Sequence, residues 1–227
     1  SEMCIRDRSR LVWNETGTRK YETGVNHGVL YPQDEAGKYP KGVAWCGLTS
    51  VKESPSGAEE TALYADNIKY ASLRSAEQLG LTIEAYQYPD EFEACDGSAA
   101  ALDGVYVGQQ SRQPFGFVYR TEIGNDTAST KDDGYKLHLV YGCTASPSEE
   151  QHQTVNDSPD AVSFSWEVTT NPVAVENMKP TSCITIDSTK ITDKSKLAAL
   201  EDILFGKDAV EARLPMPDEV IATLKNS

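Results

Sequence analysis

Basic residues are scarce: 21 Lys and Arg stand against 35 Asp and Glu in 227 residues, a formal charge of −14. Sequence-independent binding to nucleic acid needs cations to neutralise phosphates, so the balance argues against that class. It argues equally against adsorption to an anionic membrane surface. Cysteine is sparse and scattered. Cys4, Cys46, Cys95, Cys143 and Cys183 include no C-x-x-C pair, which speaks against a zinc site or a disulfide framework and for free thiols in a reducing compartment. No run approaches the ~18 apolar residues of a spanning helix. No secretory h-region opens the chain, so the expectation is a protein made and used without crossing a membrane by the usual route.

Catalytic signatures are lacking too. The histidines are His27, His138 and His152. His138 shares a strand face with Lys136 and is expected at the solvent surface; His27 lies in a glycine-rich stretch and His152 in a polar loop. No G-x-S-x-G or H-E-x-x-H occurs, and Gly104 to Gly108 (GVYVG) lacks phosphate-loop spacing. Asp90, Glu91 and Glu93 form one carboxylate cluster, Asp132 and Asp133 another. Paired carboxylates run glycoside hydrolysis and acidic loops hold calcium, but neither cluster has EF-hand spacing, and solvated loops account for both. No catalytic, cofactor-binding or metal-ligating residue is nominated, and the expectation is that the protein is not an enzyme and uses no cofactor.

What is present is strand periodicity, clearest in residues 160–187. Val162, Phe164, Trp166 and Val168 alternate with Ser163, Ser165, Glu167 and Thr169, the period-two signature of a strand with one dry and one wet face. Cys183–Asp187 is expected as its partner strand. The same alternation marks residues 81–88 (Leu81, Ile83, Ala85 against Thr82, Glu84, Tyr86), residues 115–123, and residues 135–141, where Tyr135, Leu137, Leu139 and Tyr141 share a face. Residues 42–51 and 105–107 are further strand candidates. Residues 53–61, 124–134 and 144–159 read as loops. Around Asp66-Asn67, residues 62–70 form a plausible tight hairpin, because Asp and Asn tolerate positive φ. Residues 90–94 can make one helical turn.

Toward the C-terminus the period becomes 3.6: Leu197, Leu200, Ile203 and Leu204 share one face of a helix capped by Asp193 and closed by Gly206. A second, short helix starts at Pro217 with Val220, Ile221 and Leu224 in a stripe. Alone it is unstable in water, so it must dock on something, a neighbouring subunit being one option. Residues 1–8 (SEMCIRDR) fit nothing that follows and resemble a translated sequencing-adapter remnant, so a non-native extension is expected there. The remainder, residues 9–227, reads as one mainly β domain: an arm over 9–41 with little core of its own, an antiparallel β-sandwich core over 42–190, and C-terminal helices over 191–227.

Six stretches taken together carry a resemblance: GVAWCGLTSVKESPSGAEETALYADNIKYASL (42–73), YPDEFEACDGS (88–98), PFGFVYRTEIGNDT (114–127), YKLHLVYGCTASPSEE (135–150), DAVSFSWEVTTNPV (160–173) and KPTSCITIDS (179–188). In order and spacing they resemble the major tail proteins, or tail-tube proteins, of long-tailed, non-contractile phages infecting Gram-positive bacteria. No single stretch is a strong motif; the co-linear set is the specific feature, and Cys46 and Cys95 depart from it. The resemblance implies a β-sandwich of the tail-tube type flanked by a helix, hexameric rings of this chain stacked into a tube, and DNA ejected through it without specific binding. It also implies tape-measure, tail-terminator and distal tail proteins as partners, no membrane, and a place in the virion tail after assembly in the host cytoplasm.

Two expectations about residues follow from that reading. Tyr64, Asp66, Asn67, Ile68 and Tyr70 of the hairpin are candidates for contacts across the ring. Glu84 and Glu167, on polar strand faces, are candidates for the channel wall, where an acidic lining keeps DNA from sticking. Two rival classes are a carbohydrate-binding or adhesin β-sandwich and a β-sandwich hydrolase. The first wants an exposed Trp/Tyr platform, whereas Trp166 is placed with the core residues of its strand; the second lacks a constellation.

Overall fold

Stretches of period two become strands with one dry face, and they form most of a single antiparallel sheet. The computed structural model describes residue 11 and residues 13–127, 134–152, 154 and 161–225. Its strands are β1 (Lys20–Pro32), β2 (Val43–Trp45), β3 (Leu48–Gly57), β4 (Glu60–Ala65), β5 (Ile68–Arg74), β6 (Glu77–Ala85), β7 (Ala99–Leu102), β8 (Val105–Val107), β9 (Phe115–Asn125), β10 (Tyr135–Ala145), β11 (Phe164–Thr170) and β12 (Cys183–Asp187). Three helices complete it: α1 (Phe92–Cys95), α2 (Lys194–Phe205) and α3 (Pro217–Leu224). The fold is mainly β. The large sheet runs β2-β1-β9-β10-β11-β6-β3, with β12 also on β10, while β4-β5 and β7-β8 are separate two-stranded ribbons.

The sheet folds over on itself in a sandwich-like curl. Trp45 of β2 lies 5.5 Å from Trp166 of β11, and the Tyr119 hydroxyl on β9 donates to Glu53 on β3 at 2.6 Å. Strands far apart in the order therefore share one interior, where Phe92, Phe115, Phe117 and Trp166 are buried together. Aromatic rings meeting edge-on at these distances give a core both apolar and geometrically specific.

A second core lies on the outer side of β1, β9, β10 and β12. Tyr31, Val118, Leu137, Leu139 and Tyr141 pack there against Leu197, Leu200 and Leu204 of α2 and Val220 of α3. The buried phenols keep partners: Tyr31 donates to the Leu204 carbonyl at 2.5 Å and Tyr141 to the Pro215 carbonyl at 3.0 Å. Burial pushes both hydroxyls well above their ordinary pKa, so they act as permanent donors. Asp193 caps α2 by accepting from the Ser195 amide at 3.0 Å, as its position predicts. The docking site of α3 is its own chain: Val220 enters this core and Lys196 donates to the Lys225 carbonyl at 2.6 Å.

Four expectations are corrected. Residues 20–32 are not an arm: β1 pairs with β9 from Lys20↔Asn125 to Pro32↔Phe115 and supplies Leu30 and Tyr31 to the cores. Its interruptions are register shifts between Thr23, Asn26 and Val29, bulges within a paired strand rather than breaks. Residues 53–57 are not loop but the outer half of β3, whose Pro55 sits on an edge strand, where proline is tolerated. The expected strand over 42–51 divides into β2 and β3. Finally, β12 is not the partner of β11. Residues 136–140 of β10 pair with β12, residues 143–145 with β11. The change occurs at Gly142, where φ is +62° and a Cβ would lie 2.2 Å from the Asn171 carbonyl oxygen; only glycine fits that kink.

Candidate functional site

The β4-β5 ribbon is the outer half of one long hairpin. β3 and β6 pair down to Gly57↔Glu77, and the ladder resumes at Glu60↔Arg74. Between them Gly57 and Ala58 both have positive φ (+85° and +57°), which turns the ribbon away from the sheet. At its tip Asp66 and Asn67 have φ of 50° and 61°, the two positive values of a type I′ turn. The hairpin expected over residues 62–70 is thus found, and longer than expected.

Its register gives the ribbon two unlike faces. Pairing Thr61↔Leu73, Leu63↔Ala71 and Ala65↔Ile68 places those six residues on one side, with an irregularity between Leu63 and Tyr64. The other side pairs Glu60↔Arg74, Ala62↔Ser72 and Tyr64↔Lys69, and on it Glu60 accepts from Lys69, from Ser72 at 2.5 Å and from Arg74 at 3.4 Å. Those bonds hold the Glu60 carboxyl below its ordinary pKa, Lys69 first among the causes. Among the described residues the apolar side joins neither core. Ile68 is 65% exposed and Leu73 58%, and beside the turn and the irregularity Tyr64 and Tyr70 are each 74% exposed. A two-stranded ribbon is marginal alone in water, and among the described residues the apolar face of this one is left exposed.

A second ribbon was not foreseen as a hairpin. β7 and β8 pair Ala99↔Val107, Ala100↔Tyr106 and Leu102↔Val105 around Asp103-Gly104. That dipeptide is the signal that would have found it. Leu102, Val105, Tyr106 and Val107 are all exposed.

Glu84 and Glu167 share a face. Glu84 pairs with Ser165 and Glu167 with Thr82 on the neighbouring strands, so the two carboxylates are diagonal neighbours on the side of β6 and β11 away from Trp166. Ser50 of β3 donates to Glu84 at 2.7 Å, and Thr169 extends the face. Lys52 of β3, which pairs with Thr82, stands on the same face, so this is a polar wall of Ser, Thr and Glu with a lysine among them, continuous over three strands, next to the half of the sheet that α2 and α3 cover.

His138 is corrected from exposed to enclosed: its side chain is 12% exposed. It stacks on Tyr119 with centroids 4.5 Å apart and planes 3° from parallel. Nε2 meets the Thr121 hydroxyl at 3.1 Å, Nδ1 lacks a hydrogen-bond partner among the described residues, and Glu53 lies 3.7 Å from it. Burial lowers the His138 pKa below its ordinary value; Glu53 and Glu22 oppose this. Its strand face contains a tyrosine-lined interior because the curl brings β3 over β9 and β10, which single-strand periodicity cannot show. Trp166, by contrast, is 1% exposed, in the core as expected.

Asp90, Glu91 and Glu93 lie around α1, where the Tyr88 hydroxyl donates to Glu93 at 3.1 Å. Asp132 and Asp133, with residues 1–8, lie outside the described residues. Among the described residues, no three His, Cys, Asp or Glu side chains come together in a way that could hold a metal ion, and no helix is long and apolar enough to cross a membrane. No protein-family model matches the chain, and no curated protein matches it significantly in sequence.

Proposed function

We propose that this protein is a structural subunit of a phage virion, assembling into hexameric rings that stack into the tail tube through which DNA is ejected. The observation that carries the reading is the β4-β5 ribbon, which holds an apolar face out from the body on a polar back. A face of that kind is stable in water only when covered, and on a tube subunit the cover is the next subunit. The polar wall of Glu84, Glu167, Lys52 and their Ser/Thr neighbours is a mostly uncharged lining with more carboxylate than cation, which suits a duct for a polyanion. The co-linear resemblance of residues 42–188 to tail-tube proteins supports the same assignment. With it come the tape-measure, terminator and distal tail proteins as partners, and a location in the virion tail after assembly in the host cytoplasm. Trp166 is interior and offers the carbohydrate-binding alternative no platform on β11. Negative-stain electron microscopy of the purified chain tests the proposal. Rings or tubes are the expected result; monodisperse monomers at every concentration would overturn it.

A further inference from the structure

The structure places a groove of about 800 Å³ between β12 and α3. Its floor is apolar, with Ile184 and Ile191 facing Ile221 and Leu224. β12 pairs with β10 along one edge; among the described residues its other edge carries no strand. The rim is basic: among the described residues Lys136, Lys190 and Lys225 line the groove against one carboxylate, Asp187. Lys136 is bonded to Glu22 at 2.6 Å, whereas the Lys190 side chain is 83% exposed and 3.9 Å from Asp187. A local excess of cations over an apolar floor stands out in a chain whose net charge is −14.

We propose that this groove receives the β7-β8 hairpin of a second copy of the chain. Pairing puts Ala99, Leu102, Val105 and Val107 on one face of that hairpin, and Leu102, Val105 and Val107 are exposed there. Asp103 sits at its turn, and residues 89–111 hold Asp90, Glu91, Glu93, Asp96 and Asp103 without a cation among them; Arg112, just beyond, offsets Asp96 at 3.0 Å. An apolar face with an acidic tip matches an apolar floor with a lysine rim. The other bare ribbon matches less well, since Lys69 and Arg74 accompany Glu60 on its back. Hairpin and groove are different patches, so the contact is heterologous, the type that closes into rings or continues as filaments. The inference rests on the self-assembly proposed above and adds where one subunit grips the next.

Two full-length forms test it, both carrying Cys4→Ser and Cys46→Ser, one with Val105→Cys and the other with Ile221→Cys. Both reporter positions are exposed, and Leu102→Cys serves as a second hairpin reporter if the first form folds poorly. Mild oxidation should give disulfide-linked dimers from the mixture and not from either form alone. Lys190→Glu on the groove partner should remove them, and Asp103→Lys on the hairpin partner should restore them. Unmodified protein that forms rings while the mixture gives no dimer of its own, or dimers arising equally from one form alone, would overturn the groove and leave the assembly standing. Protein that stays monomeric by sedimentation at every concentration would overturn both.

Discussion

Replacing Trp166 with Ala perturbs the meeting point of the curled sheet. The indole is 1% exposed and touches rings from four directions: Phe92 at 5.1 Å, Tyr88 at 5.4 Å, Trp45 at 5.5 Å and Phe164 at 5.7 Å between centroids. Those rings come from α1, the segment before it, β2 and β11 itself, so neighbours anchored on separate elements cannot all collapse into the void. Removing a large buried ring under those conditions costs ~3–5 kcal/mol, a large share of the 5–15 kcal/mol that typically holds a domain together. The indole N–H adds little, because its bond to Asp96 is long at 3.4 Å and Asp96 keeps Arg112 at 3.0 Å when it is gone. Trp166→Phe, which keeps half the packing, should fall between the two. Urea unfolding followed by far-UV circular dichroism measures all three forms, with the slope m unchanged if the denatured state is the same. A loss below ~1 kcal/mol for the Ala variant would place the indole at the surface and refute the packing argument.

Ile68→Pro should abolish rings in negative-stain images and leave a folded monomer, since Ile68 closes the turn against Ala65 and the ribbon adds nothing to either core; unchanged rings would locate the contact elsewhere. Stability should fall as pH drops through the ordinary histidine value of 6.5, because burial favours neutral His138 in the fold while the unfolded chain takes up the proton. His138→Gln should flatten the denaturation midpoint over that window, and an equal slope in both proteins would assign the pH dependence to other groups. Glu84→Lys with Glu167→Lys should add a band of cations to the polar wall at every subunit and slow DNA release from virions, more at low salt than at high. Release that matches wild type at both salts would remove these two residues from the channel.

Much of the sheet was legible because burial on one face writes itself into a strand every second residue. Leu81, Ile83 and Ala85 in β6, Phe115 and Phe117 in β9, and Trp166 and Val168 in β11 all point inward as their alternation predicts. Helix α2 was legible for a similar reason, through its stripe and its cap. What failed was whatever depends on a second element. β1 hides because Gly24 and Gly28 read as breaks, whereas Gly24 and His27 are positive-φ residues at bulges in a strand held by β9. The partner of β12 is decided by the kink at Gly142 on another strand, a fact that no pattern in residues 183–187 carries. His138 was misplaced because the face it shares with Lys136 is wet at one end and roofed by β3 at the other. Of the candidate site, the turn at Asp66-Asn67 was legible from two residues that tolerate positive φ. The apolar face beneath it was not, because an irregularity at Leu63/Tyr64 shifts the register on which the face depends.

The charge and the ribbons act over different ranges, and together they fit the self-assembly proposed above. At −14 per copy, two subunits repel at separations out to a Debye length, about 10 Å at 0.1 M salt. Apolar faces attract only on contact, once water has left. An apolar ribbon on a neutral body would pair with any copy it met, the hazard of an exposed edge. Here the bulk charge raises the barrier to random encounter, while the Glu60 network keeps the back of the ribbon polar and soluble. The lysine rim beside α3 is the local exception to that repulsion. An approaching acidic hairpin meets attraction there and repulsion from the carboxylate-rich surface around it, so orientation is selected before apolar contact begins. Specificity therefore belongs to the distribution of charge and affinity to the bare Leu, Ile and Val side chains, which is why neither net charge nor hydrophobicity read alone identifies the surface.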